Sequence, residues 1–300
     1  MLTHLDDFSR TLKIERNYSS NTISSYLSDL KSFDSFLEKN RINFKELNNK
    51  HTKLFFRNLS KKKFSPRTIK RKFSSLSSYF SFLLDRRIIK NNPLNGVFTP
   101  KIPKILPEIL TIEEINNIFL AAESSKNEIL SLRDRCILEM LYSSGLRVSE
   151  VCELRINNIQ FDLDLIRFFG KGSKERIIPL TYYARKWLKK YLSESRKILS
   201  SRSKRSSNYV FLSNNGLSLT RMAIWLSVKK YVNSASVLKK ISPHTFRHSF
   251  ATHLIDGGAN LIEVQALLGH ADISTTEIYT HLSREFVESE YMKAFQKDKN

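Results

Sequence analysis

Apolar residues recur every three or four positions through residues 1–90, a spacing that predicts four helices there. The clearest run sets Ile23, Tyr26, Leu27, Leu30, Phe33, Phe36 and Leu37 on one face, with Ser20 or Asn21 in position to cap its start. Another opens at Ser65-Pro66-Arg67-Thr68, a capping serine followed by proline at the first helical position, where an N–H has no intrahelical partner to lose. That helix carries Ile69, Phe73, Leu76, Tyr79, Phe80, Phe82 and Leu83 on a broad apolar face. From Leu110 the helical spacing resumes: Thr111 and Glu114 are placed as a capping box, and 133–143 is an apolar-periodic helix broken at Gly145. Between 163 and 180 the character changes. Residues 165–169 and 176–179 flank Gly170-Lys171-Gly172-Ser173-Lys174, which predicts a β-hairpin with Lys171 at its tip. Helical patterns return over 182–199, 221–234, 245–255, 261–267 and 274–279. The fold class read from these elements is mainly α: an N-terminal four-helix domain, then a mostly helical domain with a small antiparallel β-sheet.

Four of the chain's seven prolines, Pro93, Pro100, Pro103 and Pro107, follow one another closely, with Lys101 and Lys104 among them. Such a segment reads as an extended linker. It divides the chain into a first domain over 1–95, a linker over 96–107 and a second domain over 108–300. With 300 residues and 41% apolar content, each domain can bury a core of its own. The cysteines, Cys136 and Cys152, both lie in apolar helical patterns and read as buried thiols in a reducing compartment. No stretch approaches the ~20 apolar residues of a membrane span, and the N-terminus is too acidic for a signal peptide, so a soluble, cytoplasmic protein without a membrane partner is expected.

Charge narrows the class of partner. Fifty Lys and Arg against 29 Asp and Glu leave +21, and residues 1–100 alone hold +12. From Arg57 to Lys90 there are eleven basic residues and one acid, Asp85. Self-repulsion of this size is usually balanced by a polyanion, and nucleic acid is the partner expected. Lys61, Lys62, Lys63, Arg67, Lys70, Arg71 and Lys72 gather at the start of the helix opened by Ser65 and are the candidate DNA-binding residues.

The candidate chemistry lies further on. Ser144-Gly145-Leu146-Arg147-Val148-Ser149-Glu150 sets an arginine beside a glycine turn, and Ser242-Pro243-His244-Thr245-Phe246-Arg247-His248 opens a helix with a histidine and an arginine three apart. Leu267-Leu268-Gly269-His270 and, nine residues beyond it, Tyr279 follow. Cleaving a phosphodiester by transesterification requires an activated hydroxyl, neutralisation of the phosphorane and a proton for the departing oxygen. Guanidinium forks match two phosphate oxygens and stay charged at any working pH, which makes Arg147 and Arg247 the candidates for neutralisation. Either arginine alone would read as a salt-bridged surface residue, and Tyr279 alone as a core aromatic with its hydroxyl at the surface. A zinc site on His244 and His248 would need glutamate where Thr245 stands, so no metal is expected. His248, His253 and His281 read as packing or hydrogen-bonding residues.

The order and spacing of these motifs resemble the tyrosine recombinase (phage-integrase-like) family, and within it the Xer-type site-specific recombinases. The resemblance covers nearly the whole chain. It includes Tyr18-Ser19-Ser20-Asn21-Thr22, Ser65-Pro66-Arg67-Thr68 and Asn92-Pro93 in what resembles the family's SAM-like core-binding domain. It implies a nucleophile at Tyr279 that forms a 3′-phosphotyrosyl intermediate and a proton acceptor at His244. It further implies a phosphate clamp of Arg147 and Arg247, a phosphate hydrogen bond from His270 and a leaving-group acid at Lys171. Because the phosphotyrosine bond conserves the energy of the broken linkage, no cofactor is implied. The partners implied are double-stranded DNA with a short inverted-repeat site, a tetramer on two such sites, a paralogous recombinase and a septal DNA translocase. The chain begins directly with the core-binding domain, which favours chromosome-dimer resolution over a mobile-element integrase. A non-catalytic architectural DNA-binding protein would share the charge but not the six polar groups. After Tyr279 the ending Phe295-Gln296-Lys297-Asp298-Lys299-Asn300 departs from the short His-Pro-Arg ending common in Xer proteins.

Overall fold

The computed structural model describes residues 2–102, 107–169, 175–204 and 207–268. The chain divides into two compact units, Met1–Ile105 and Leu106–Asn300. The first contains α1 (Leu5–Ile14), α2 (Ser20–Lys39), α3 (Asn49–Lys61) and α4 (Pro66–Asp85), with a short 3₁₀ turn at Phe44–Glu46. Ser65 caps α4, its Oγ accepting from Thr68 N at 3.2 Å, with Pro66 opening the helix. For α2 the cap is Ser19, one residue earlier than expected. Ser19 alone is extended (ψ 150°), so its Oγ can turn back to Thr22 N, whereas Ser20 is already helical.

Each helix turns its apolar stripe inward. Phe8, Leu12, Leu30, Phe33, Leu37, Phe55, Leu76, Tyr79, Phe80 and Leu83 form the core of this unit, and full burial of such a side chain contributes about 2–3 kcal/mol. Phe33 meets Phe55 edge to face at 4.9 Å. Tyr79 donates its hydroxyl to the Thr3 carbonyl at 2.6 Å, which ties the N-terminus to α4. The start of the proline-rich segment is packed rather than open: Thr52 Oγ1 donates to the Pro93 carbonyl, Leu94 is buried and Val97 lies against the core.

The second unit is built on α6 (Glu128–Ser143), with α5 (Ile112–Glu123) before it and α7 (Val148–Glu153) after. Thr111 and Glu114 make the expected capping box. Every residue from Ser131 to Ser143 is buried, charged ones included. The sequence pattern places this helix at 133–143; it begins five residues earlier, where Asn127 caps it, its Oδ1 accepting from Leu130 N at 3.0 Å. Arg135 is one of the buried charges. Its guanidinium meets Glu123 at 2.7 Å and Glu139 at 2.6 Å, and lies over Phe119 and Trp187 at 3.7 and 4.3 Å from the ring centroids.

Strands β1 (Ile159–Gln160), β2 (Leu165–Phe169) and β3 (Glu175–Pro179) pair antiparallel in that order. Ile166 faces Ile178 across the hairpin, and both are buried. The two-residue β1 is too short for any alternation to announce it. The rest of the unit is α8 (Tyr182–Ser193), α9 (Ser195–Ser201), α10 (Arg221–Ser234), α11 (Pro243–Asp256) and α12 (Leu261–Leu267). The single helix expected over 182–199 is two, divided at Glu194 (φ −102°, ψ −83°). The change of direction lets Arg196 donate to the carbonyls of Ser207, Tyr209 and Val210 while Leu199 enters the core. Cys136 is buried and Cys152 only half-buried; both are free thiols, each raised above the ordinary range by burial. Among the described residues no helix is long and apolar enough to cross a membrane.

Glu139 is fully buried against Arg135, so Glu139→Ala leaves a buried guanidinium short of one carboxylate. Unfolding in denaturant should show a loss of about 3 kcal/mol. A change under ~0.5 kcal/mol would mean that Glu123 alone suffices.

Candidate active site

Helix α6 ends at Ser143, and the chain reverses through Gly145 in the left-handed region (φ 56°). Glycine is required here on two counts. An L side chain is strained at that angle, and a Cβ would lie 2.9 Å from Leu268 Cδ2 and 3.0 Å from Phe250 Cδ1. The turn buries Leu146 and leaves Arg147 extended at the start of α7. Glu150 then holds Arg147 twice, accepting from its backbone N at 2.7 Å and from Nη1 at 2.9 Å. The Arg147 side chain remains 39% exposed.

Ser242 and Thr245 cap α11 reciprocally, with Pro243 at its first position. His244 therefore sits in the open first turn, exposed, while Arg247 one turn on is buried. The sequence spacing predicts both on one face. They share the helix but not the environment, because the Arg247 guanidinium is drawn inward: Nη1 donates to the Gly145 carbonyl and Nη2 to the Leu268 carbonyl. A single side chain thus joins the turn before Arg147, helix α11 and the segment that leads to Gly269-His270. Leu110 N donates to the buried Ser249 Oγ at 2.9 Å, which fastens the entry of the unit to the same helix. His253 meets the Tyr142 hydroxyl at 3.0 Å, and burial lowers its pKa from the ordinary value. His248 is half-buried.

Lys171, His270 and Tyr279 lie outside the described residues, as do His281 and the helix expected over 274–279. Of the N-terminal candidates, Lys61, Lys62, Lys63, Arg67 and Lys70 are exposed. Lys72 is not a surface cation: it is buried, with Nζ 3.1 Å from Asp29 Oδ1. Arg71 is exposed yet paired with the other oxygen of Asp29. Sequence reasoning passed over Glu150 and Asp29. The first carried a signal, an acid three residues after Arg147; the second also did, an acid among the apolar positions of α2.

Residues 5–87 match the Phage integrase N-terminal SAM-like domain, and residues 108–285 match the Phage integrase family. The chain belongs to the phage integrase family. Like other tyrosine recombinases, it is an enzyme that cleaves and rejoins DNA. It is 40% identical to the tyrosine recombinase XerD of Chlorobaculum tepidum over 284 residues, covering 94% of this chain and 93% of that protein. It is 38% identical to the tyrosine recombinase XerC of Bacillus subtilis over 296 residues, covering 97% of each. Among solved structures, the XerH site-specific recombinase bound to palindromic difH substrate shares its fold, with TM-score 0.69 and 22% identity over 96% of this chain and 84% of that one.

Within this tyrosine recombinase, Gly145 and Arg247 form one joint. Gly145→Ala should cost about 2 kcal/mol from backbone strain and displacement of Leu268. Recombination should fall along with the melting temperature. An unchanged melting temperature would show that the turn relaxes without consequence.

Proposed function

We propose that this site-specific recombinase exchanges DNA strands through a 3′-phosphotyrosyl intermediate on Tyr279 and serves to resolve chromosome dimers in the cytoplasm. In this reading the Tyr279 oxygen attacks phosphorus while His244 takes its proton. The bond to the 5′ oxygen breaks, and Lys171 protonates that oxygen as it leaves. Arg147 and Arg247 neutralise the phosphorane, with His270 donating to one of its oxygens. What supports the reading most is Arg247, whose bonds to the Gly145 and Leu268 carbonyls bring two of the motif segments and the approach to a third to one place. A guanidinium has five N–H donors, so it can hold carbonyls and an anion at once. Exposed His244, at the first turn of the same helix, is open to a proton donor.

The substrate is duplex DNA carrying a short inverted-repeat site, bound by a tetramer spanning two sites. Similarity to both a XerC and a XerD over more than nine-tenths of the chain favours a chromosomal role, with a paralogue as partner and a septal DNA translocase as activator. The exposed cations Lys61, Lys62, Lys63, Arg67 and Lys70 would meet phosphates, so affinity should fall steeply with salt.

Trapping on a nicked suicide duplex, read on a denaturing gel, tests the nucleophile. Tyr279→Phe should bind the site normally and form no covalent adduct; an undiminished adduct would assign the attack to another tyrosine. Roles of the remaining groups separate by leaving group. Arg147→Ala should slow cleavage at least ~100-fold, whether the scissile atom is oxygen or sulfur. Lys171→Ala should be rescued by a 5′-thio leaving group, which needs little protonation. Rescue of Arg147→Ala instead would reverse the assignment. Arg147 is the cleaner variant than Arg247, whose loss also opens the joint at Gly145.

A further inference from the structure

The cations at the start of α4 are of two kinds. Lys61, Lys62, Lys63, Arg67 and Lys70 are exposed, and among the described residues no ion pair holds them. Arg71 is held. One of its guanidinium nitrogens donates to Oδ2 of Asp29, which also accepts from Ser75 Oγ at 2.9 Å, while Oδ1 takes Lys72 Nζ at 3.1 Å. Asp29 is 1% exposed and Lys72 9%, but Arg71 is 47% exposed. One cation is sealed inside with the carboxylate, and the other stands half in solvent.

A carboxylate withdrawn from water must be paired and hydrogen-bonded. Lys72 and Ser75 already meet that need, so Arg71 is surplus to neutralising Asp29. What the third partner gains is a fixed direction. A phosphate does not demand this, because a mobile lysine meets it as a point charge. A guanine edge rewards it: its N7 and O6 accept two N–H groups at once from a guanidinium fork lying in the plane of the base. Among the described residues Arg71 donates from one nitrogen alone, to Asp29. Exposed Ser74, three residues on, is small enough to let a base-pair edge approach the helix.

We infer, on the DNA-binding reading above, that Arg71, held by buried Asp29, reads a guanine in the target duplex. Asp29 is a positioning residue in this arrangement, and Lys72 supplies the charge that keeps the carboxylate stable when Arg71 engages DNA. Setting the fork beforehand lowers the freedom lost on binding.

The full-length protein can be tested by selecting bound duplexes from a randomised pool and reading the base preference at each position. Wild type should prefer guanine at a defined position of the half-site, and Arg71→Ala should weaken that preference about tenfold. Lys62→Ala should lower affinity for every sequence alike and leave the profile intact. Asp29→Asn combined with Lys72→Met removes the buried pair without stranding either charge. If folded by thermal melting, it should keep affinity for unselected DNA and blunt the guanine preference. Arg71→Lys, which keeps the charge and leaves Lys72 and Ser75 on Asp29 but loses the planar fork, should also blunt it and serves if the double variant does not fold. Uniform weakening by Arg71→Ala, with the profile unchanged, would make Arg71 a phosphate contact and overturn the inference. A guanine preference that survives loss of Asp29 in a folded protein would overturn the positioning role. Failure of the wild type to bind any duplex would overturn the DNA-binding reading instead.

Discussion

The guanidinium of Arg247, donating to the carbonyls of Gly145 and Leu268, is the contact on which the second unit's arrangement depends. Apolar packing brings α6, α11 and α12 together but is non-directional and tolerates small sliding motions. Charge-assisted hydrogen bonds to two carbonyls do not. The apolar side of the same joint is Gly145, pressed so closely on Leu268 and Phe250 that any side chain there would have to displace them. The position of Arg147 follows. Leu146 is anchored in the core, the chain becomes extended, and Glu150 receives the arginine's backbone and side chain together.

Charge is used twice in this protein, in opposite ways. The chain carries +21, and its exposed lysines and arginines suit a polyanion. Inside each unit a few acids are withdrawn from the surface to organise cations: Asp29 in the first, Glu139 and Asp134 in the second. Asp134 takes Arg133 and accepts the Tyr231 hydroxyl at 3.0 Å, linking α6 to α10. Losing one partner of such a cluster strands a buried charge, at a cost of about 3–5 kcal/mol. Arg71 belongs to both uses, anchored within and half exposed without.

Helices α10 and α12 occur where the apolar period places them, and the caps at Ser65 and Thr111 form as read. These features depend on neighbours within one turn of chain, so their determinants are written locally. The hairpin of β2 and β3 was legible for the same reason. The burial of Arg133, Asp134 and Arg135 was not, because they look like a solvated face until Glu123, Leu212 and Tyr231 are brought to them from elsewhere. The break at Glu194 likewise depends on carbonyls that Arg196 reaches across the fold.

The motifs that suggested the chemistry were readable as residue types in order: an arginine after a glycine turn, a histidine and an arginine opening a helix, a histidine after a glycine. Local spacing also dictated that His244 and Arg247 share a helix. Which of them faces solvent and which is buried was decided by the tertiary structure, since the carbonyls that draw Arg247 inward come from Gly145 and Leu268. The same holds for Lys72, one of a row of cations in the sequence, which the packing of α2 against α4 turns into the buried partner of Asp29. A charge's sign is carried by its residue. Its exposure depends on what long-range packing sets beside it, and no window of local sequence contains that.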